Sequence, residues 1–390
     1  MKLLFITPGK LPVPATSGGA VETLIQILID NNEITKKYSI TLVSVYTKEA
    51  YEASLKYKYT KFIFINIDDK LYKISRLIRY GINRIPNIYI GNAYIKRVYN
   101  YLKNHYEDYD YVIVENAPEY ALKLCKLYKD NLIFHSHNDF LNVNTDMAKK
   151  KLNKYCKVFS LSNYINKRMQ DIDNNYKNIY TLYNGVELDK FKDAKKNRKD
   201  IRKKYNIKDS DFVYLYTGRI VEIKGVRELI KSFNSIKDDS SKLVIVGSLE
   251  SNIFTPKSYI DELKDLSKNN KNIIFTGKVS YNDIPSYYGM SDVGVFPTII
   301  EEGFGMVVVE CMAVGNPVIV TNSGGMIELV DDDCSIIVKK ENELENNLIN
   351  ALLKIKKEYK KYDSKYIVNQ SKKYDCKVYC DRFDELIKKQ

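Results

Sequence analysis

The sequence predicts an α/β protein built from two doubly wound parallel-sheet domains. Short apolar runs rich in Val, Ile, Leu and Phe alternate with longer amphipathic stretches along the 390 residues. Continuous apolar runs separated by helical patterns are typical of parallel strands buried on both faces. The alternation occurs twice, and a polar, Lys-rich stretch at 184–197 that begins with Asn-Gly separates the two halves. We therefore expect two Rossmann-like domains that face each other across a central cleft.

Strands are predicted at the apolar runs, and helices in most of the gaps between them. In the first half the predicted strands are Leu3–Thr7, Ile40–Val45, Phe62–Ile65, Tyr111–Val114, Leu132–Phe134, Val158–Leu161 and Ile179–Tyr183. In the second half they are Phe212–Thr217, Lys242–Val246, Asn272–Phe275, Val293–Phe296, Pro317–Thr321 and Ser335–Val338. Two helical patterns of the first half are Ala20–Asn31 and Tyr94–His105. The predicted domains are residues 1–183, with a C-terminal helix at 371–390 packing back on them, and residues 184–370.

Composition excludes several classes of protein. Hydrophobic residues make up 44% of the chain, which is enough for two cores and excludes disorder as the main state. No run approaches the roughly 18–20 apolar residues that span a bilayer. The apolar start at Leu3–Ile6 meets Pro8 and Gly9 too soon for a signal peptide. We expect a cytoplasmic protein whose six scattered cysteines stay reduced.

The charge balance favours polyanionic partners. The chain has 62 Lys and Arg against 49 Asp and Glu, a net charge of +13, which suits nucleic acid, nucleotides or anionic lipid. A general enrichment in Lys would give the same surplus. No compact Lys/Arg stripe with interleaved aromatic residues stands out, so nucleic acid is not an expected partner.

Two glycine-bounded loops follow predicted strands and are candidates for anion binding. Gly18-Gly19 precedes the first helix, where free backbone N–H groups can meet an anion, although a plain tight turn has the same sequence. In the second half, Arg219 and Lys224 lie between Gly218 and Gly225. A planar guanidinium and a point-charge ammonium can converge on one diphosphate. The alternative is two solvated basic side chains.

A pair of glutamates gives the strongest signal. Glu302 precedes a Gly-Phe-Gly turn, and Glu310 lies eight residues further along in the apolar helix that the turn begins. A carboxylate in an apolar helix needs polar partners, because an unpaired buried charge is costly. Ribose hydroxyl groups are suitable partners, and the amides after Glu302 can hold phosphate or sugar oxygens.

Together these motifs resemble the retaining glycosyltransferases of the GT-B fold, family 4. The similarity rests on Gly218-Arg219…Lys224-Gly225, on Glu302-x7-Glu310, and on Pro317-Val-Ile-Val-Thr-Asn-Ser-Gly-Gly. Tyr183-Asn184-Gly185-Val186 resembles that family's entry to the linker, with Glu187 in place of the usual Asp. The glycine pair of the first loop also matches, so the resemblance covers essentially the whole chain.

The resemblance implies roles for individual residues. Arg219 and Lys224 would neutralise the donor diphosphate, and Glu310 would bind the ribose. Glu302, with Gly303, Phe304 and Gly305, would hold the donor sugar. Gly19 would bring an amide to the diphosphate, and Val279 would border the nucleobase. In the first half His137 would contact the transferred sugar or the acceptor hydroxyl, with His135 as the alternative.

The implied reaction is glycosyl transfer from a nucleotide-diphosphate sugar, UDP-linked first and GDP-linked next, to an acceptor hydroxyl with retention at the anomeric carbon. The family's same-face attack passes the acceptor proton to the leaving phosphate. No metal or other cofactor is expected, and Asp108 and Asp110, which imitate a metal-binding Asp-x-Asp, precede a strand rather than follow one. Two other functions remain open: transfer to a protein or soluble acceptor, and nucleotide-sugar or nucleic-acid binding without catalysis.

The segment Lys70–Arg84 predicts a further partner. It interleaves Lys and Arg with Leu, Ile and Tyr, as helices at a membrane interface do. We therefore expect a lipid-linked saccharide acceptor of bacterial surface polysaccharide synthesis, with the protein peripheral at the inner face of the plasma membrane. The alternative is an ordinary amphipathic helix that packs its apolar side on the sheet.

Overall fold

The computed structural model describes residues 1–251 and 255–389. The chain folds into two compact units. Unit 1 contains residues 1–185 and the C-terminal segment from Tyr379, and unit 2 contains Val186–Val378. Within the described residues no helix combines the length and the apolar composition needed to cross a bilayer.

Each unit is built on one parallel sheet. The strands of unit 1 are β1 (Lys2–Ile6), β2 (Ser39–Val45), β3 (Thr60–Ile65), β4 (Tyr111–Glu115), β5 (Leu132–His135), β6 (Lys157–Ser160) and β7 (Ile179–Thr181). Those of unit 2 are β8 (Phe212–Thr217), β9 (Ser241–Val246), β10 (Ile273–Gly277), β11 (Val293–Phe296), β12 (Val318–Thr321) and β13 (Ser335–Val338). All thirteen predicted strands are confirmed to within two residues at either end.

Helices connect the strands and cover the sheets. They are α1 (Ala20–Thr35), α2 (Lys48–Ser54), α3 (Lys70–Ile82), α4 (Ala93–Asn104), α5 (Ala121–Leu124), α6 (Ala148–Leu152), α7 (Asn163–Gln170), α8 (Arg198–Lys204), α9 (Val226–Ser235), α10 (Lys257–Ser267), α11 (Ile284–Met290), α12 (Met306–Ala313), α13 (Leu344–Lys357), α14 (Ser364–Ser371) and α15 (Cys376–Lys388). Short polar side chains at Thr47, Asp69, Asn92 and Ser162 accept hydrogen bonds from backbone amides of the first turn, which fixes where α2, α3, α4 and α7 begin.

The strand order places a crevice at one point of each sheet. In unit 1 the order is β3-β2-β1-β4-β5-β6-β7, and in unit 2 it is β10-β9-β8-β11-β12-β13. The chain therefore reverses its winding direction between β1 and β4, and again between β8 and β11. Connections leave the sheet in opposite directions at such a switch point, so the loops after these four strands line the crevices in which α/β sheets bind ligands.

The C-terminal helix packs on the sheet of unit 1. The ring of Phe383 lies 6.0 Å from that of Phe5, and Lys157 Nζ donates hydrogen bonds to the carbonyl oxygens of Leu386 (3.4 Å) and Ile387 (3.1 Å). The helix expected at 371–390 differs at its start, because the turn Lys372–Tyr374 interrupts it after α14 and α15 begins only at Cys376. Its last expected residue, Gln390, lies outside the described part of the chain.

Candidate functional site

Arg219 and Lys224 lie in the loop that leaves β8 at the switch point of unit 2. The carbonyl oxygen of Arg219 accepts a hydrogen bond from the buried Tyr216 hydroxyl (2.8 Å). The side chain of Arg219 is exposed. Gly225 closes the loop at φ +70, and a Cβ there would collide with the carbonyl oxygen of Pro297. The glycine therefore lets the basic loop lie directly against the chain that leaves β11.

Glu302 meets Lys224 across the switch point. The Lys224 ammonium and the Glu302 carboxylate form an ion pair, and both side chains are partly exposed. The amide of Glu302 donates to Ser323 Oγ (3.0 Å), and its carbonyl accepts from the amide of Gly325 (2.7 Å). The structure thus brings together two residues that the sequence places 78 positions apart.

The Gly-Phe-Gly turn forms the entry to α12. Gly305 is the N-cap residue at φ +106, a conformation that side chains rarely adopt. Phe304 is buried, with its ring edge-on to Tyr374 at 5.6 Å, and Gly303 is half-buried. The buried phenylalanine anchors the turn, so that Glu302 stays at the crevice while α12 runs inward.

Glu310 lies on α12 at the base of the same crevice and is buried. Its Oε2 accepts a hydrogen bond from the Tyr288 hydroxyl (2.9 Å), which also lies 2.6 Å from Thr217 Oγ1 at the end of β8. Burial raises the pKa of Glu310 to about 7, although the Tyr288 hydrogen bond and the charge of Lys190 both act to lower it. Glu310 is therefore a carboxylate with unused acceptor capacity, poised between its two protonation states near neutral pH.

Val279 lies in the loop that follows β10 and is half-buried. Tyr281, two residues further on, has a pKa raised by burial and then by the charges of Glu310 and Glu187. The loop after β10 therefore reaches the neighbourhood of Glu310.

Gly19 begins α1 at the switch point of unit 1. It is the N-cap residue at φ +103, and a Cβ there would collide with the carboxylate of Glu22. Glu22 is buried, and burial raises its pKa. The amino end of α1 is therefore already covered by a carboxyl group of the same chain, which the sequence analysis did not anticipate.

Glu115 joins the two candidate histidines into one buried cluster. Its Oε2 lies 2.7 Å from His137 Nε2 and 3.0 Å from His135 Nδ1. Burial acts to raise the pKa of Glu115, but the two histidines outweigh it and lower the pKa to about 2. Burial, followed by the charge of His135, lowers the pKa of His137 to about 4. Near neutral pH Glu115 is thus a carboxylate that accepts a hydrogen bond from the uncharged imidazole of His137.

Glu115, His135 and His137 could also hold a metal ion. One possible ligand atom from each lies within 4.8 Å of those of the other two, and within the described part of the chain this is the group with that geometry. The two oxygen–nitrogen separations are those of ordinary hydrogen bonds. Asp108 and Asp110 serve local contacts instead: Asp108 accepts from the Tyr106 hydroxyl (2.8 Å), and Asp110 accepts from the Lys2 amide (2.7 Å).

Sequence reasoning missed Glu115, although the sequence carries a signal for it. An acidic residue closes the otherwise apolar run Tyr111-Val-Ile-Val-Glu115, at the end of the strand that borders the switch point. His135 is the last residue of the next strand of the sheet, β5, where it lies opposite Glu115, and His137 follows that strand. Adjacent carboxyl ends of parallel strands bring such side chains together.

Comparison with known proteins identifies the family. Residues 197–369 match the family model described as glycosyl transferases group 1. Residues 197–369 form a group 1 glycosyltransferase domain. The match covers the basic loop, the glutamate pair and nearly all of unit 2.

Curated relatives at 30% identity or more match the chain over part of their length. The chain is 39% identical over 161 residues to the capsular polysaccharide biosynthesis glycosyltransferase CapM of Staphylococcus aureus, covering 40% of each chain. It is 31% identical over 157 residues to a GDP-mannose-dependent alpha-(1-6)-phosphatidylinositol monomannoside mannosyltransferase of Mycobacterium tuberculosis, covering 37% of this chain and 38% of that one. The chain thus spans about two fifths of the length of these relatives.

Solved structures extend the similarity to the whole fold. Anabaena Alr3699/HepE, solved in complex with UDP-glucose, superposes with a TM-score of 0.73 at 16% identity over 99% of this chain and 98% of that one. The chain therefore has the GT-B fold, as the sequence predicted.

Proposed function

We propose that this chain transfers a glycosyl group from a nucleotide-diphosphate sugar to an acceptor hydroxyl, with retention at the anomeric carbon. The observation that carries the proposal is the convergence of Arg219, Lys224, Glu302 and Glu310 on one switch point of unit 2. Two cations at this position would neutralise a diphosphate, and two carboxylates would accept hydrogen bonds from the neutral hydroxyl groups of the sugar and the ribose.

The proposed mechanism follows from these charges. As the bond from the anomeric carbon to the diphosphate breaks, negative charge develops on the leaving phosphate, and Arg219 and Lys224 stabilise it without reorganisation. The acceptor oxygen bonds to the same face of the carbon, and its proton passes to the departing phosphate oxygen. Glu302 and the Gly303–Gly305 turn orient the sugar, and Glu310 accepts the ribose hydroxyls. Gly19 and His137 of unit 1 and Val279 of unit 2 are proposed as further substrate contacts, and no metal ion is required.

A UDP-sugar is the favoured donor, and a GDP-sugar is the next candidate. The former is supported by the UDP-glucose complex of the similar HepE structure, and the latter by the GDP-mannose dependence of the mycobacterial relative. The acceptor is proposed to be a lipid-linked saccharide of bacterial surface polysaccharide synthesis, which the similarity to CapM supports. We place the protein in the cytoplasm, peripheral at the inner face of the plasma membrane.

Thermal stabilisation of the purified protein by UDP-, GDP- and ADP-sugars tests the donor class. One nucleotide should raise the melting temperature, and Arg219→Ala should abolish the rise, whereas Lys231→Ala, whose ion pair with Glu345 lies elsewhere in unit 2, should keep it. NMR of the product with the selected donor then reports the anomeric configuration. An inverted product, binding without turnover on any acceptor, or transfer to a protein acceptor would each replace part of the proposal.

A further inference from the structure

An amphipathic helix of unit 1 exposes its apolar side. Leu71 and Leu77 of α3 are 77% and 69% exposed, and Ile74 and Ile78 are also exposed. The sequence left open whether these side chains pack on the sheet, and the structure shows that they do not. Ile85 and Ile88, in the segment that follows, are exposed as well. A contiguous patch of this kind marks an interaction surface, whereas single exposed apolar residues do not.

The opposite side of α3 accounts for its attachment to the protein. Tyr72 is its buried residue, and Asp69 caps the helix and pairs with Arg97 of α4 (Nη2–Oδ1 2.8 Å). Arg79 donates to the carbonyl oxygen of Ile90 (2.7 Å), which ties down the end of the helix. These contacts hold α3 in place while its apolar side chains point away from unit 1.

Basic side chains border the apolar face. At about 100° per residue, Leu71, Ile74 and Ile78 share one arc of the helix, and Lys73 and Arg76 occupy the neighbouring exposed arc. The segment Lys70–Arg84 contains five basic residues and no acidic one.

The cations extend from α3 onto its neighbours. Burial lowers the pKa of Lys123, and the nearby cations Lys126, Arg79 and Lys96 lower it further. Positive charge is therefore gathered around Arg79, near the end of α3.

We propose that α3 and the segment 83–88 dock this chain on an anionic lipid surface, with α3 lying in the plane of the interface. This docking surface rests on the proposed function, because a lipid-linked acceptor would be bound at such a lipid surface. Apolar side chains enter the acyl boundary while the neighbouring Lys and Arg reach the headgroups. A second copy of the chain is a poorer partner, because joining two such faces would bring together basic side chains that have no acidic counterpart on α3.

Flotation with vesicles tests the proposal with a matched pair of variants. Leu71→Ser with Leu77→Ser should weaken binding to phosphatidylglycerol vesicles by at least about tenfold, because both signals of an interfacial helix are needed for stable anchoring. Ile34→Ser with Leu55→Ser removes two side chains of unit 1 that are 80% and 69% exposed, and should leave binding unchanged. Lys73→Glu with Arg76→Glu should abolish binding at low salt, and phosphatidylcholine vesicles should bind weakly throughout.

Several outcomes would overturn the docking surface. They are failure of the parent protein to bind phosphatidylglycerol vesicles at low salt, equal binding by the two serine pairs, and a parent dimer that only the Leu71/Leu77 pair dissociates. Turnover of the selected nucleotide sugar with a soluble aryl glycoside separates this test from that of the proposed function. The Leu71/Leu77 variant should retain that turnover, and a parent that binds vesicles but transfers no sugar would refute the function and leave the surface standing.

Discussion

The Tyr288 hydroxyl donates a hydrogen bond to the Glu310 carboxylate across 2.9 Å, and both residues are buried. Tyr288 lies on α11 and Glu310 on α12, so the bond joins the helices that flank β11. It gives the buried carboxylate one partner and leaves acceptor capacity for a ligand. Burial nevertheless dominates, and the pKa of Glu310 is raised to about 7.

Glu310→Gln should stabilise the protein and weaken nucleotide binding. The folded-state pKa of about 7 exceeds the ordinary value of 4.5, so the stability present below pH 4.5 is lost as pH rises toward 7. At about 1.4 kcal/mol per pKa unit, the loss is at most about 3 kcal/mol. In urea at pH 8 the free energy of unfolding of Glu310→Gln should therefore exceed that of the parent, and at pH 4.5 the two should differ little. UDP affinity of the parent should rise with pH through about 7, whereas that of the variant should be low and flat. Equal UDP affinity at pH 8 would contradict the ribose role.

Arg219→Ala and Lys224→Ala should each lower kcat/KM at least tenfold without loss of folding. One charge-assisted hydrogen bond to phosphate is worth about 1.5–3 kcal/mol, whereas the partly exposed Lys224–Glu302 pair contributes about 0–1 kcal/mol to stability. Glu302→Gln should lower the rate with a full donor more than the affinity for free nucleotide. Lys231→Ala is the control for loss of a lysine. Near-normal kinetics in both alanine variants would remove the diphosphate assignment.

Gly225→Ala should destabilise unit 2 more than Gly277→Ala. Both glycines have positive φ, +70 and +75, so each alanine meets backbone strain of about 1–2 kcal/mol. A Cβ at Gly225 would also collide with Pro297, whereas nothing lies within 4 Å of one at Gly277. Denaturant unfolding of both variants measures the difference. Equal losses of stability in the two variants would show that the collision with Pro297 adds nothing to the cost of an alanine at Gly225.

Burial of His137 should make the protein labile to acid, although its hydrogen bond with Glu115 opposes the effect. The folded-state pKa of His137, about 4, lies below the ordinary value of 6.5, so its contribution is present above pH 6.5 and is lost as pH falls toward 4. The loss is at most about 3 kcal/mol. His137→Gln should flatten this part of the pH profile, since its amide can reach the Nε2 position, while the exposed His105→Gln should not. If the parent and His137→Gln showed the same change in free energy of unfolding between pH 7.5 and 5, His137 would not be buried in its uncharged form.

EDTA should leave transferase activity unchanged. The proposed chemistry places cationic side chains, Arg219 and Lys224, where a metal ion would otherwise neutralise the diphosphate. Dialysis against EDTA followed by assay with and without added Mn²⁺ or Zn²⁺ measures this. Complete loss restored by one ion would assign a metal role, with Glu115, His135 and His137 as the first residues to substitute.

The sequence predicts the sheets well because their signal is local. Each strand is a continuous apolar run, whereas the strand order that creates the two switch points comes from the structure. Contacts between distant segments are harder to predict. Nothing in the sequence pairs Lys224 with Glu302, and the contact of Glu115 with His137 follows only once β4 and β5 are known to be neighbours. The face of α3 was equally undetermined, because an amphipathic pattern specifies two sides but not which of them meets the protein.

The return of α15 to unit 1 has a consequence for biosynthesis. The ribosome makes the seven strands of that sheet first, but Phe383 becomes available only after all of Val186–Val378 has been translated. Until then the surface around Phe5 lacks its cover, so the first unit to be synthesised is the last to be completed. While unit 2 is translated, the nascent chain therefore exposes the apolar surface around Phe5. A chaperone that binds exposed apolar surface would bind the nascent chain at this surface.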